Sequence, residues 1–373
     1  GVRGGSATVH FPIWHQEIED ILVLKNNKGT EDNRVRKLDY SIQLSKLFYE
    51  RFLKNEDISL FSPHEVPGLY DAFGTDSFDE LYEKYERAHS VPKIKVNAQT
   101  LFMSLLKERA ETGRIYIMNI DHCNTHSSFN VDEAKINMSN LCQEITLPTE
   151  PLHTFDDKNG EIALCILSAI NVGQLTSDFK DLPELCDLAV RALDEVIDYQ
   201  EYPVVAAKLS TENRRSLGIG FIGLAHFLAK NKVKYSDQEA HDLVHRLSEN
   251  FQYNLIKTSV ELAKEKGPCG YLSQTKYHNG LLPIDHYKKE VDEISNPGLE
   301  CDWESLREEV KLHGIRNSTL SAQMPSESSS VVSNETNGIE PPRDYLSIKK
   351  SKKGPLKQIV PGYPHLKNNY TLL

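Results

Sequence analysis

An amide, a thiol and a carboxylate alternate along one short stretch of the chain, at Asn140, Cys142 and Glu144. In an extended backbone successive side chains point to opposite faces, so these three groups would share one face and Leu141 and Gln143 the other. Such a face suits chemistry on a hydroxylated substrate, because a thiol can react, a carboxylate can move a proton and an amide can hold an oxygen. The alternative is an ordinary edge strand with a polar face, since the pattern N-x-C-x-E is weak on spacing alone.

A second stretch is rich in hydroxyl groups. Residues 319–324 form a predicted strand that leads into Ser326, Glu327, Ser328 and Ser329 at the start of a predicted helix. Free N–H groups, the helix dipole and serine hydroxyls would converge there, and these are the groups with which proteins hold a phosphate. A serine-capped helix without a ligand is the alternative.

Cys165 lies in the apolar run 161–168, which is typical of a β-strand. This run and residues 144–149 could pair as an antiparallel hairpin, which would bring Cys165 near Cys142. From the residues alone, Cys165 is better explained as a small core side chain. None of the six cysteines forms a C-x-x-C pair, which argues against a zinc ribbon or a thioredoxin-type motif. Their scattered positions indicate a reducing compartment.

Two further patterns resemble ligand sites but lack the context that such sites need. His122, Cys123 and His126 fall within five residues, yet no second ligand cluster has matching spacing. A polar loop at the carboxyl end of a strand is the preferred interpretation of this run. Residues 218–223 match G-x-G-x-x-G, but a polar loop precedes them where a dinucleotide site needs a strand. Close backbone packing explains those glycines better.

Predicted strands and helices surround these stretches, and the chain is long enough for one large α/β domain or two smaller ones. The predicted strands are residues 7–14 and 115–120, and the predicted helices are residues 34–53, 77–88, 98–112, 182–199 and 303–313.

The composition is that of a globular protein long enough for a large core, with 39% hydrophobic and 26% charged residues. The net charge of −11 argues against a general nucleic-acid coat, although a local pocket for a phosphorylated ligand is compatible with it. No apolar run reaches the roughly 18–20 residues of a membrane span, and no secretory leader opens the chain. The chain starts without methionine and stops on apolar residues, so we expect truncation or gene splitting at both ends.

Eight stretches of the sequence, taken in chain order, match one family. Each is weak alone, but their order over essentially the whole chain is specific. The chain resembles the large, catalytic subunit of class I ribonucleotide reductase. The matching stretches are RGGSAT at 3–8, FSP at 61–63 with VPGLYD at 66–71, GRIY at 113–116, SNLCQEI at 139–145, EIALC at 161–165, RNSTL at 316–320, MPSESS at 324–329 and NGIEPPR at 337–343.

The resemblance implies a ten-stranded α/β barrel of two parallel five-stranded halves, surrounded by helices, with a central finger loop that carries the reactive cysteine. Residues 1–373 would be one portion of this catalytic domain, namely the second barrel half and the following segments. The ATP-sensing cap, the first barrel half and the C-terminal tail would lie outside the chain. The completed subunit would be a homodimer.

The resemblance also implies a role for each candidate residue. Cys142 would be the thiyl radical that takes the 3′ hydrogen of a ribonucleoside diphosphate, which leads to the 2′-deoxyribonucleoside diphosphate. Glu144 would take the 3′-hydroxyl proton, and Asn140 would hydrogen-bond the substrate. Cys165 would be one half of the reducing dithiol.

The serine-rich run would hold the diphosphate through Ser326, Glu327, Ser328, Ser329 and their backbone N–H groups. Position 328 is serine where many relatives have threonine, and the hydroxyl is preserved.

The resemblance further implies that this chain binds no cofactor of its own. A small subunit with a di-iron or dimanganese centre would supply the radical. Thioredoxin or glutaredoxin would supply the electrons, and ATP and deoxynucleotides would regulate the complete subunit. Activity would need the complementary upstream half of the subunit. The protein would be cytoplasmic, and neither nucleic acid nor a membrane would be among its partners. Two rival hypotheses are a non-catalytic fragment that serves as an assembly partner and a thiol hydrolase that uses Cys142. The second needs a histidine base, and His153 falls in a polar loop.

Overall fold

The computed structural model describes residues 5–351 and 354–373 of the chain. The chain divides into two compact units, Gly1–Thr149 and Glu150–Leu373. Residues 3 and 4, at the start of the first family-matching stretch, lie outside the described residues. Within the described residues no helix combines the length and the apolar character that a membrane span needs.

The first unit alternates strands with helices, as the sequence predicts. Its elements are β1 (Thr8–Pro12), α1 (Ile18–Leu22), β2 (Asp39–Leu44), α2 (Lys46–Lys54), β3 (Asp57–Leu60), α3 (Leu69–Ala72), α4 (Phe78–Arg87), β4 (Ile94–Asn97), α5 (Ala98–Thr112), β5 (Ile115–Asn119) and α6 (Ile120–His126). Strands β1, β2 and β5 form a parallel sheet in that order, and β3 pairs with β4 antiparallel. Parallel neighbours require crossover connections, and the intervening helices provide them. The α/β class is confirmed, whereas closure of ten strands into a barrel stays a prediction.

The three-stranded sheet has one apolar and one polar face. Ile42 and Leu44 of β2 belong to the same buried core as Leu105 of α5. The alternate residues of β2, Ser41 and Gln43, point to the opposite face and are also fully buried. Because buried polar groups need hydrogen-bond partners, this face requires a polar segment above it.

The prediction of one helix over residues 34–53 is wrong for its first half. Residues Asp39–Leu44 form strand β2, and only Lys46–Lys54 is helical. The strand does carry a period-two pattern, since Asp39, Ser41 and Gln43 alternate with apolar residues, but the pattern is short and runs directly into the helical spacing of α2. Helix α2 begins after Ser45, whose hydroxyl accepts a hydrogen bond from the Phe48 N–H group. The strands predicted at 7–14 and 115–120 and the helices predicted at 77–88 and 98–112 are confirmed.

The second unit also combines strands with helices. Its elements are β6 (Ile166–Asn171), α7 (Leu182–Tyr199), α8 (Val205–Arg214), β7 (Leu217–Ile222), α9 (Leu224–Lys230), α10 (Gln238–Lys266), α11 (Pro283–His286), α12 (Trp303–His313), α13 (Glu327–Val332), β8 (Leu346–Ser351) and β9 (Gly354–Ile359). Strands β6 and β7 are parallel, and β8 and β9 form an antiparallel hairpin. Helix α7 confirms the prediction for 182–199, and α12 confirms that for 303–313. Val190 of α7, Ile219 of β7 and Leu255 of α10 share one buried core.

Residues 319–324 run beside β7 without forming the predicted regular strand. Among the described residues of this segment, Ser321 alone forms a bridge, which pairs it with Ile219. Gly220 explains the close approach, because a Cβ at that position would collide with the Ala322 carbonyl oxygen. Gly223 has a φ of 86° and begins α9. Close backbone packing is therefore confirmed as the reason for glycine at positions 220 and 223 of the G-x-G-x-x-G pattern.

A buried ionic cluster links α7 to the segment before residue 319. Asp194 is fully buried, and its Oδ1 accepts hydrogen bonds from Arg215 Nε at 2.7 Å and Asn317 Nδ2 at 3.1 Å. Arg316 Nε lies 3.3 Å from Asp194 Oδ2. The cluster gives the RNSTL stretch a structural role, because it fixes the chain that runs along β7 toward α13.

Candidate active site

The stretch around Cys142 is a tight turn. The Gln143 N–H group donates to the Asn140 carbonyl oxygen over 3.2 Å, and Gln143 has a φ of 61°. This left-handed backbone conformation costs a residue other than glycine about 1 kcal/mol. The extended strand, with Asn140, Cys142 and Glu144 alternating on one face, is therefore a wrong prediction. The three residues still lie together, at the tip of one loop.

This loop is closed at its base by an antiparallel bridge between Ser139 and Thr146. We call residues 136–146 the finger loop. The Ser139 hydroxyl donates to the Ile145 carbonyl oxygen over 2.6 Å, which narrows the loop further. The hairpin predicted between residues 144–149 and 161–168 is wrong, because Thr146 pairs inside the finger loop.

Helix α6 and strand β2 fix where the finger loop begins. The Asn124 side chain accepts from the Ile136 N–H group at 2.8 Å and donates to the Ile136 carbonyl oxygen at 3.0 Å. Gln43 Nε2 donates to the Asn137 carbonyl oxygen at 2.6 Å. The run His122–His126 thus belongs to a helix that supports the loop, and the prediction of a polar loop there is wrong. No group of three or more His, Cys, Asp or Glu side chains in the described part of the chain is arranged to hold a metal ion.

The tip of the finger loop rests on the polar face of the sheet. Gln143 Oε1 accepts from the Ser41 hydroxyl at 2.6 Å, and Gln143 Nε2 donates to the Ile117 carbonyl oxygen at 2.7 Å. The Thr8 hydroxyl donates to the Leu141 carbonyl oxygen at 2.7 Å. Strands β1, β2 and β5 therefore each contribute one hydrogen bond to the tip.

Cys142 is a partly buried free thiol with acidic surroundings. Burial raises its pKa, and the nearby carboxylates of Glu144 and Asp39 raise it further. Nucleophilic cysteines usually have a lowered pKa because a cation or an imidazolium stabilises the thiolate. The Cys142 sulfur therefore keeps its proton at neutral pH, which does not suit the hydrolase hypothesis.

Alkylation of Cys142 should reveal the raised pKa directly. We expect its rate of modification by iodoacetamide to rise with pH around a midpoint above the usual thiol value of about 8.5, because the thiolate is the species that reacts. Peptide-resolved mass spectrometry between pH 7 and pH 10.5 measures this rate for each cysteine. A midpoint below that of a free cysteine peptide would contradict the assignment.

The carboxylate and amide beside this thiol differ in how fully they are hydrogen-bonded. Among the described residues no group donates to Glu144 Oε2, although this oxygen is buried. Asn140 Oδ1 is 3.5 Å from the Ile145 N–H nitrogen and 3.4 Å from the Ser139 hydroxyl. A buried carboxylate oxygen without a donor is costly unless a ligand supplies one.

Two further residues lie around the tip that the sequence does not single out as site residues. Tyr116 of β5 has a raised pKa, chiefly through burial and next through the Cys142 sulfur. His10 of β1 has a pKa lowered by burial, which keeps its ring neutral at pH 7. Both are polar residues in predicted strands, and Thr8 and His10 alternate with apolar residues. That alternation was the available indication of a polar sheet face.

Cys165 lies immediately before β6 in the second unit and is partly exposed. Partial exposure does not fit the alternative of a buried core cysteine. The run that contains Cys165 forms one antiparallel bridge with the chain that precedes it, between Glu161 and Glu150. Beyond that bridge the chain enters β6, which pairs with β7.

The serine-rich run begins helix α13, as predicted. Ser326 occupies the N-cap position and is buried, and its hydroxyl donates to the Met324 carbonyl oxygen at 3.4 Å. Glu327, Ser328 and Ser329 form the exposed first turn. The first-turn N–H groups of any helix have no earlier turn to accept them, so this turn can present donors to an anion.

A buried carboxylate holds the chain at the end of α13. Glu335 Oε2 lies 3.0 Å from His226 Nδ1 and 3.3 Å from Gln174 Nε2, and Glu335 Oε1 accepts from the Thr336 N–H group at 2.9 Å. A Cβ at Gly173 would collide with this carboxylate. Nothing in the sequence indicates the arrangement, because His226 and Gln174 lie 109 and 161 residues from Glu335 along the chain.

Comparison with known proteins identifies the family. Residues 1–371 match the model of the ribonucleotide reductase barrel domain. The chain belongs to this family.

Three relatives illustrate the similarity, and each is named ribonucleoside-diphosphate reductase subunit alpha or 1 subunit alpha. The protein from Buchnera aphidicola subsp. Schizaphis graminum is 58% identical over 375 residues, and that from Escherichia coli strain K12 is 57% identical over 375 residues. Both alignments cover 100% of this chain and 49% of the relative. The protein of Enterobacteria phage T4 is 50% identical over 369 residues, and the alignment covers 98% of this chain and 48% of the phage protein. The chain thus spans about half the length of these relatives.

Proposed function

We propose that this chain supplies the reactive loop of a ribonucleoside-diphosphate reductase, which forms 2′-deoxyribonucleoside diphosphates through a cysteine thiyl radical. One observation carries the proposal. A thiol whose pKa is raised by burial and a buried carboxylate oxygen without a donor among the described residues lie two residues apart, on a turn fixed to a polar sheet face. Hydrogen-atom transfer needs a thiol and not a thiolate, and the open carboxylate oxygen can receive a hydroxyl proton.

The chemistry follows from these groups. The Cys142 thiyl radical takes the 3′ hydrogen atom of the ribose and becomes a thiol, while Glu144 takes the proton of the 3′ hydroxyl. The 2′ hydroxyl then takes a proton from the reducing dithiol and leaves as water. The same dithiol gives a hydrogen atom to C2′ and an electron to the 3′ ketone, whose oxygen takes back the proton from Glu144. The Asn140 oxygen already faces the Ile145 N–H group within the finger loop, so its NH₂ group is the part that donates to the substrate. The 3′ hydrogen atom returns from Cys142 at the end, which regenerates the radical.

The second unit contributes reduction and substrate binding in this proposal. Cys165 and a second cysteine of the complementary upstream segment are oxidised to a disulfide, which supplies two electrons and two protons. Ser326, Glu327, Ser328 and Ser329 hold the diphosphate through hydroxyls and first-turn N–H groups.

The same proposal covers the assembly. The chain corresponds to the second barrel half and the following segments of a homodimeric cytoplasmic subunit, and turnover needs the complementary upstream segment. A small subunit with a di-iron or dimanganese centre supplies the radical. Thioredoxin or glutaredoxin reduces the disulfide, and ATP and deoxynucleotides regulate the complete subunit. The half-length match to the reductase relatives supports this division.

Reconstitution tests the proposal. The chain is combined with the upstream half of a relative, the small subunit, a dithiol reductant and a ribonucleoside diphosphate, and deoxynucleotide is quantified by chromatography. We expect product from the full mixture and none when either half is omitted. Product without the upstream half would refute the need for it. Stable capture of the upstream half without any product would favour the assembly-partner hypothesis.

Replacing Glu144 by glutamine should slow turnover by about 10²–10⁴-fold, the range typical for loss of a general base. The amide has nearly the same shape but cannot take the hydroxyl proton, so diphosphate binding should persist. Steady-state kinetics and equilibrium binding measure the two effects separately. Glu133→Gln, the same change at an exposed site of the first unit, is the matched control. Loss of binding in the Glu144 variant would instead make Glu144 a structural residue.

A further inference from the structure

We propose that Gln143 is a positioning residue that fixes the finger-loop tip to the sheet and so sets the places of the reactive thiol and the carboxylate. This inference rests on the proposed function and names a further residue of the same site. Gln143 lies between Cys142 and Glu144 in sequence, and both ends of its amide are used. The oxygen accepts from Ser41 on β2, and the nitrogen donates to the Ile117 carbonyl oxygen on β5.

Glutamine is chemically matched to this position. A primary amide carries an acceptor and a donor, so one side chain can join two neighbouring strands whose facing groups are a hydroxyl and a carbonyl. Glutamate could accept from Ser41 but could not donate to Ile117, and leucine could do neither. Ser41 is fully buried, so loss of the amide oxygen would leave a buried hydroxyl without this acceptor.

The backbone of Gln143 adds a second argument. Its φ of 61° is a backbone conformation that residues other than glycine, asparagine and aspartate seldom adopt. The turn closed by the Gln143 N–H group and the Asn140 carbonyl oxygen depends on this conformation. The two side-chain hydrogen bonds hold the residue in it. Because Cys142 and Glu144 flank the residue, their positions relative to the sheet follow from the same contacts.

The reductase assay of the reconstituted complex tests the inference. We expect Gln143→Leu to lower kcat by about 100-fold, the loss typical of a small misplacement of reacting groups. The KM for the ribonucleoside diphosphate should stay nearly constant, because Gln143 has no part in diphosphate binding. Gln16→Leu is the matched control, since Gln16 is an exposed glutamine of the same unit. A kcat for Gln143→Leu equal to that of the control would overturn the inference.

A glycine variant separates the side chain from the backbone. Glycine adopts a positive φ without strain, so Gln143→Gly permits the turn but removes both side-chain hydrogen bonds. If the bonds position the loop, Gln143→Gly loses kcat as Gln143→Leu does. Retention of full kcat by the glycine variant would show that the backbone conformation alone suffices and would overturn the role of the side chain.

A double-mutant cycle tests the contact with β2. Ser41→Ala removes the donor to Gln143 Oε1, and we expect a smaller loss of kcat than in Gln143→Leu. Adding Ser41→Ala to Gln143→Leu should cost little more, because the shared contact is already gone. Full additivity of the two losses would contradict a role for the direct hydrogen bond between Ser41 and Gln143.

Alkylation provides a readout that does not need turnover. In the 373-residue chain, Gln143→Leu should make Cys142 react faster at pH 8, because a released turn exposes the sulfur. Continued protection of Cys123, the other cysteine of the first unit, whose pKa burial raises to about 11, shows that this unit is intact. If Gln143→Leu loses this protection, Ser41→Ala takes its place in the same measurement. Unchanged Cys142 reactivity in an intact variant would overturn the inference, even if the wild-type complex makes no deoxynucleotide and the proposed function fails.

Discussion

Replacing Cys142 by serine is expected to abolish deoxynucleotide formation in the reconstituted complex. The loss should be on the order of 10⁴-fold or more, which corresponds to more than about 5 kcal/mol of activation free energy. Serine has nearly the same shape, but its O–H bond is stronger than an S–H bond, so the hydroxyl cannot take up the radical. Chromatographic quantification of the product measures the loss, and equilibrium binding of the ribonucleoside diphosphate should be unchanged.

Cys301→Ser provides the matched control for this experiment. Cys301 is also a partly buried free thiol, and it lies in the second unit beside Asn250. This variant should keep wild-type turnover. Substantial turnover by Cys142→Ser would remove the thiyl radical mechanism, whereas loss of diphosphate binding would show that Cys142 has a structural role.

Replacing Asp194 by alanine is expected to destabilise the second unit by about 3–5 kcal/mol, the usual cost of breaking a buried ion pair. The substitution leaves the guanidinium groups of Arg215 and Arg316 without their shared buried carboxylate. Urea unfolding followed by Trp303 fluorescence measures the change. A Trp14→Phe background makes Trp303 the remaining tryptophan of the chain.

The matched control for this loss is Asp187→Ala on the same helix. Asp187 pairs with Arg191 at 2.9 Å, but both side chains are more than one third exposed. An exposed pair of this kind contributes at most about 1 kcal/mol. Equal free energies of unfolding for the two variants would show that the Asp194 cluster contributes no more than a surface pair.

Elements whose limits are set by nearby residues could be predicted from the sequence. Helix α5 begins where the Asn97 side chain accepts from the Thr100 N–H group and ends at Gly113 with a φ of 65°. Both features are encoded within a few residues of the helix ends. Strand β2 also has a local signal, the polar–apolar alternation of residues 39–44, but the helical spacing over residues 34–53 predicts a helix there instead.

The candidate site follows the same division. The sequence placed Asn140, Cys142 and Glu144 together, and the structure places all three on one loop tip, where their catalytic roles stay predictions. Their strand geometry was wrong because the turn depends on Gln143. The hydrogen bond that fixes Gln143 to Ser41 spans 102 residues, and no local pattern encodes such a contact.

The carboxylate at Glu335 also constrains how this protein can evolve. Gly173 has room for no side chain while that carboxylate is present, and His226 supplies its partner. A drift to alanine at position 173 therefore becomes tolerable only after both neighbouring side chains have given way, because a Cβ there would collide with Glu335 Oε2 and lie 2.9 Å from His226 Nδ1. These three sites should covary among homologues, and changes at 226 and 335 should precede any change at 173.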